Sequence, residues 1–178
     1  MVVGVLLLGG CAGQWVKVGN GEQQVQAERY SVSLPDNWVK RALNDELIVS
    51  RDGPDLQQIV VRAASHAKAF PNIERESRAD MLPSELSAMF VAELKKKYPD
   101  GLPSLKIERD EPAQLDGHEG FFLQLAYSTD SGVRYGMLVY GAASEKGFVS
   151  ISFDAPLIHF FERDRAVFER TSASLKLL

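Results

Sequence analysis

Cysteine is nearly absent from this chain: among 178 residues only Cys11 carries a thiol. One cysteine allows no internal disulfide and no zinc site built on paired thiolates. Histidine is almost as scarce. His66, His118 and His159 stand apart, and none has a second ligand at a spacing such as His-x-x-x-His. Asp116, His118 and Glu119 lie close together but read as a solvated turn rather than a metal site. The glycines form neither a phosphate-cradling Gly-x-x-x-x-Gly-Lys-Ser/Thr nor a Gly-x-Gly-x-x-Gly, and no Gly-x-Ser-x-Gly elbow is present. Positive charge is in deficit, with 20 Lys and Arg against 24 Asp and Glu and a net charge of -4, so bulk electrostatics give a nucleic-acid role no support. No stretch approaches the roughly 20 apolar residues of a membrane helix. The sequence therefore offers no catalytic, cofactor-binding or metal-binding residue to name, although a triad assembled across the fold stays open.

What is present begins at the start of the chain. Residues 2–8 are apolar apart from Gly4, which suits the hydrophobic part of an export signal and is far too short to span a bilayer. The run Leu6-Leu7-Leu8-Gly9-Gly10-Cys11-Ala12-Gly13 resembles a bacterial lipobox. That resemblance implies that Cys11 is acylated on sulfur and becomes the first residue of the mature protein. Two acyl chains on sulfur-linked glycerol plus one on the amine give stable membrane anchoring. No Lys or Arg precedes the run, so the basic start of the signal is expected upstream of Met1. The alternative is a buried N-terminal strand with a core cysteine. In lipoproteins of this kind an Asp after the cysteine retains the protein in the inner membrane. Ala12 in its place implies the outer membrane, facing the periplasm. The expected organisation is a signal segment 1–10, a lipidated tether 11–27 in which Trp15, Val16 and Val18 could form a short strand, and one domain 28–178.

Within the domain, 45% hydrophobic and 25% charged residues are close to the globular average. Tyr30, Val32 and Leu34 alternate with serines and stop at Pro35, a half-buried strand followed by a turn and the large anchor Trp38. Leu47, Ile48 and Val49 pair through the turn Arg51-Asp52-Gly53-Pro54 with a strand over 57–63. Residues 65–82 lose periodicity and hold few large apolar residues besides Phe70. This long connection is a candidate contact surface whose deletion should cost partner capture and little stability. A helix starts at Pro83, with the stripe Leu86, Met89, Phe90 and Leu94 and a final turn of Lys95, Lys96 and Lys97. Four strands follow. The first covers 105–109 and runs into Pro112, and its neighbours Glu108, Asp110 and Glu111 suit a solvated sheet edge. The second places Phe121, Leu123 and Leu125 opposite Phe122. The third places Met137 and Val139 opposite Leu138 and Tyr140. In the fourth, Phe148, Ser150, Ser152 and Asp154 alternate with Val149, Ile151 and Phe153. A last helix from about 156 to 174 offers Phe161, Phe168 and Leu175, with Ile158, Phe160, Val167 and Thr171 beside them. Glu162-Arg163-Asp164-Arg165 and Glu169-Arg170 supply its wet face. The order is β-β-β-α-β-β-β-β-α, an α+β layout with an antiparallel sheet of six to seven strands covered by helices.

Two blocks carry a resemblance. Tyr30-Ser31-Val32-Ser33-Leu34-Pro35-Asp36-Asn37-Trp38 is similar to the opening strand and Pro-x-x-Trp turn of PsbP/Mog1-like domains. Residues 161–177, with Phe168-Glu169 and Ser172-Ala173-Ser174-Leu175-Lys176, are similar to their closing helix and tail. The resemblance implies an α/β/α sandwich. Its bacterial members include exported lipoproteins of the DcrB type, and other relatives serve photosystem assembly or bind a small GTPase. The shared scaffold does not carry an activity across. The lipobox-like run, a compact domain and the lack of a catalytic constellation lead to the expectation of a non-enzymatic envelope lipoprotein, held at the membrane by lipid on Cys11, that binds an envelope protein or assists assembly. The alternatives are a periplasmic carrier of a small hydrophobic or metal ligand held between sheet and helix, and a cryptic hydrolase.

Overall fold

The computed structural model describes residues 14–19, 23–43, 45–98, 102 and 104–178, so Cys11 and the expected signal segment lie outside the described residues. In chain order the strands are β1 (Val16–Lys17), β2 (Gln23–Gln26), β3 (Tyr30–Leu34), β4 (Val39–Leu43), β5 (Glu46–Ser50) and β6 (Gln58–Ala64). Helix α1 (Pro83–Lys97) follows. Then come β7 (Lys106–Leu115), β8 (His118–Ser128), β9 (Arg134–Ser144), β10 (Gly147–Pro156), helix α2 (Phe160–Ala173) and β11 (Lys176–Leu177).

Eight strands form one antiparallel sheet in the order β1-β4-β5-β6-β10-β9-β8-β7, and β11-β3-β2 form a second, small sheet. The expected α+β class and the hairpins from 118 to 156 are present, but the strand number is higher than six to seven. The excess consists of strands without an apolar alternation. β4 carries Lys40 and Arg41 and is half-exposed or exposed throughout, while β1 is a two-residue edge. Such strands are specified by backbone pairing with a neighbour rather than by a buried face of their own. The opening strand Tyr30–Leu34 belongs to the small sheet, where β2 and β11 flank it. Within the stretch 11–27, the short strand considered around Val16 is present as β1, and Val18 is fully buried and donates its backbone N–H to Trp38 O at 2.8 Å.

The pairing of β6 with β10 joins the two halves of the chain, with Val61 opposite Ile151. Alternation then gives the large sheet two apolar faces. On one face Ile151, Phe153, Phe122 and Leu138 pack with the small sheet and with Phe161 and Phe168 of α2. Phe153 lies 5.6 Å from Phe161 and 5.7 Å from Phe168 between ring centres. α2 approaches so closely at Gly136 that a Cβ there would lie 2.6 Å from the Phe161 ring. α2 begins at Phe160, later than expected, because Pro156 still pairs with Tyr135 at the end of β10. Ile158 therefore falls in the connection and is 83% exposed instead of joining the apolar stripe.

On the other face Phe121, Leu123, Leu125, Val139 and Phe148 meet Leu86, Val91 and Leu94 of α1. Pro83 opens this helix, and the Glu85 carboxylate accepts the Leu82 N–H at 2.9 Å, closing its first turn. The connection 65–82 is a built part of this layer. Phe70 is fully buried, 4.9 Å from Phe148, and the segment forms two short 3-10 turns. Its deletion would open the core, contrary to the expectation of little stability loss. Pro112 does not end β7. The strand is the sheet edge, where a missing N–H breaks no inner ladder, and it continues to Leu115. Asp116 and Gly117, with φ of 52° and 78°, then make the tight turn into β8. No helix among the described residues is long and apolar enough to cross a membrane.

Candidate functional site

Helix α1 lies over β7, β8 and β9, leaving the same face of β5, β6 and β10 open beyond its edge. The uncovered area is a cleft of about 340 Å³, bounded by the C-terminal half of α1 and by Pro71 and Asn72. The local sequence explains why it stays open. An inner strand roofed by a helix is apolar on that face, but β10 presents Ser150, Ser152 and Asp154 there, and β6 adds Gln58. Ile48, Val60, Phe90 and Met137 make apolar walls around this polar floor.

Asp154 is the chemically distinctive residue. It is only 8% exposed, and burial pushes its carboxyl up to about 6. The Gln58 side chain, the Tyr127 hydroxyl and the charge of Lys97 favour the ionised form more weakly. The Tyr127 hydroxyl donates to Oδ2 of this carboxylate at 3.3 Å, and the Gln58 side chain also reaches it. Tyr127 is fixed by stacking on Tyr135 at 5.4 Å, and burial, with the carboxylate of Asp154, raises its own phenol. The other charged groups at the cleft are already engaged. Lys97 lies 3.7 Å from Glu46. Glu93 accepts the backbone N–H groups of Asn72 and Ile73 at 2.9 and 3.1 Å. Arg62 donates to the carbonyl of Lys68 at 2.9 Å. These bonds tie the connection to the cleft rim and hold the opening in shape.

The residues singled out from sequence are not gathered at this cleft. His66 follows β6, at the opposite end of the sheet from His159, which follows β10. His66 Nδ1 lies 2.8 Å from Ser77 Oγ, and the Ser77 N–H donates to His66 O, so the pair locks the connection. His118 contacts Asp116 O at 3.2 Å. Asp116 accepts Lys176 Nζ and the Leu177 N–H, both at 2.9 Å, and these bonds hold its carboxyl below the usual range. Asp116 thus pins β11 rather than contributing to a metal set. No group of three or more metal-type side chains is found among the described residues. Asp110 at the sheet edge accepts from Ser87 Oγ of α1 at 3.1 Å. Asp164 is a correction. Expected on the wet face of α2, it is fully buried, bonded to Arg51 and Arg163 at 2.6 Å each, and it fastens the β5–β6 turn to the helix. The signal for the cleft was the polar row Ser150-x-Ser152-x-Asp154 on a strand otherwise apolar; its consequence, an unroofed face, needed the sheet order.

Solved structures share this architecture. The solution structure of cyanobacterial PsbP from Synechocystis superposes with a TM-score of 0.65 over 96% of this chain and 99% of its own, at 12% identity. The fold is PsbP/Mog1-like. The Ran-binding protein Mog1p of Saccharomyces cerevisiae gives a TM-score of 0.54 at 11% identity, covering 93% and 95% of the two chains. LpqN of Mycobacterium tuberculosis, described as involved in cell envelope biogenesis, gives 0.52 at 15% identity, covering 93% and 91%. No protein-family model matches the chain, and no curated protein sequence does. The PsbP/Mog1-like architecture is thus held by packing residues at identities too low to carry an activity across.

Proposed function

We propose that this chain is a non-enzymatic module of the bacterial cell envelope that binds another envelope protein or assists its assembly. In this reading lipid on Cys11 anchors it, at the outer membrane and facing the periplasm. The observation that carries the reading is the cleft: a preformed opening with a polar floor and apolar walls, on a scaffold also used by LpqN and by the Ran-binding Mog1p. The anchor rests on the lipobox-like run that ends at Cys11.

Two experiments test it. Cys11→Ser should abolish both processing and membrane partitioning; unchanged behaviour in both removes the anchor. A photoreactive residue at Tyr98, beside the cleft, should trap a discrete partner in native envelopes, whereas one at Arg165 on α2 should not. No adduct, or equal adducts at both positions, overturns the interaction reading. A second reading, a small-ligand carrier, is favoured by the cleft volume of about 340 Å³, which falls within the range of small-molecule sites. Gently purified protein should then show added mass in native mass spectrometry, and a bare mass excludes it.

A further inference from the structure

We infer that the cleft receives the side chain of a lysine from the partner protein, with Asp154 as the counter-ion of its ammonium group. The inference deepens the interaction reading and rests on it. Four features of the site lead to this chemistry. Asp154 is a buried carboxylate facing an opening, and the other carboxylates at the rim, Glu46 and Glu93, already have partners. An opposite charge at Asp154 would offset the burial that now disfavours its ionised form. Three carboxylates against the cations Arg62 and Lys97 leave the cleft negative, so the complement is a cation. The walls Ile48, Val60, Phe90 and Met137 suit an alkyl stem behind a charged tip, as lysine side chains pack.

Lysine fits better than arginine for a geometric reason. A guanidinium binds a carboxylate through two parallel N–H bonds, one to each oxygen, and would have to share Oδ2 with any donor already on it. Here Oδ2 already accepts from Tyr127. An ammonium can take the other oxygen alone, and Ser152 and Gln58, which also line the cleft, supply neutral oxygens for its remaining donors.

The test is a titration of the nitrogen-labelled full chain with three short blocked glycine peptides, carrying one lysine, one Nε-acetyl-lysine or one arginine, followed by amide chemical shifts. The lysine peptide should shift resonances of β6, β10 and the end of α1. Asp154→Asn should weaken it at least about tenfold, the scale of one charge-assisted hydrogen bond. The acetylated peptide should bind at least as weakly to the wild type, and the arginine peptide more weakly than lysine. No shifts at the cleft, equal binding to Asp154→Asn, or arginine matching lysine overturns the inference. Free 1,5-diaminopentane binding while the lysine peptide does not also overturns it, since the site would then take a small amine. In each of these cases, adducts trapped from Tyr98 would keep the broader interaction reading in place; their absence would remove that reading as well.

Discussion

Replacing Asp154 by asparagine should stabilise the protein at neutral pH and leave it unchanged in acid. The carboxyl titrates near 6 in the folded chain against an ordinary value of 3.8, and it is 8% exposed. The folded state therefore holds this proton more tightly than the unfolded state does. Below about pH 3.8 both states are protonated and the residue is neutral to stability. Between 3.8 and 6 the unfolded chain releases the proton first, so folding stability falls as pH rises, and above about 6 the full penalty is present. At 1.36 kcal/mol for each pH unit, that penalty is about 3 kcal/mol. Asparagine retains an acceptor for the Tyr127 hydroxyl and carries no charge, so it removes the penalty while keeping the contact. Urea titrations of both proteins at several pH values between 4 and 8, followed by fluorescence of the buried Trp38, measure the difference directly. Other carboxylates titrate in the same range, and the difference between the two proteins cancels them. The variant should exceed the wild type by only about 0.6 kcal/mol at pH 4 and by about 3 kcal/mol at pH 7.5. A constant difference across pH, or a variant less stable at pH 7.5, would refute the assignment of Asp154 as a buried and poorly compensated carboxylate.

Three further substitutions probe what holds the cleft and its scaffold. Phe70→Ala removes a fully buried ring packed on Phe148 and should cost about 3–5 kcal/mol in urea unfolding, which would establish the connection 65–82 as core. Gly136→Ala places a methyl 2.6 Å from Phe161 and 2.8 Å from Leu157, and should cost about 1–3 kcal/mol as α2 is pushed off the sheet. Asp164→Ala leaves Arg51 and Arg163 without their shared carboxylate. Both guanidiniums reach solvent, so the loss should stay at about 2 kcal/mol, read as a lower melting temperature.

Most of the large sheet was legible because its strands obey a period of two with a heavy apolar content. In the hairpins from 118 to 156, Phe121, Leu123 and Leu125 fall on one face and Phe122 on the other, as their alternation required. Strands held chiefly by backbone pairing were not legible. β2 is glutamine-rich, and β4 interleaves Lys40 and Arg41 with small residues, so neither presents a readable face. Asp164 was misplaced for a related reason. Flanked by charges, it reads as solvated, and only the arrival of Arg51 from a distant turn makes its burial affordable. The cleft was half legible. The row Ser150, Ser152 and Asp154 is visible in the sequence, but whether a helix covers it depends on the strand order, which places β10 next to β6 while α1 lies mainly over β7, β8 and β9.

The strand order also decides which side of the sheet can accommodate a charge. One face is closed by both α2 and the small sheet, with a continuous stack through Tyr140, Phe168, Phe153 and Phe161. The other is closed only where α1 and Phe70 reach. Burial of apolar area on the closed face supplies the stability that makes a penalty near 3 kcal/mol at Asp154 tolerable. A serine or asparagine at 154 would keep the cleft polar without that penalty, so solvation of the floor alone does not require a carboxylate. What a carboxylate adds is charge, held at a fixed point by Tyr127 and directed into an opening whose rim is already neutralised. Buried, displaced-pKa carboxylates of this kind concentrate at sites that bind. On that argument the closed face is the scaffold and the β5–β6–β10 face is the proposed working surface. Substitutions on the two sides should therefore separate, with Gly136→Ala lowering stability and sparing lysine-peptide binding, and Asp154→Asn doing the reverse.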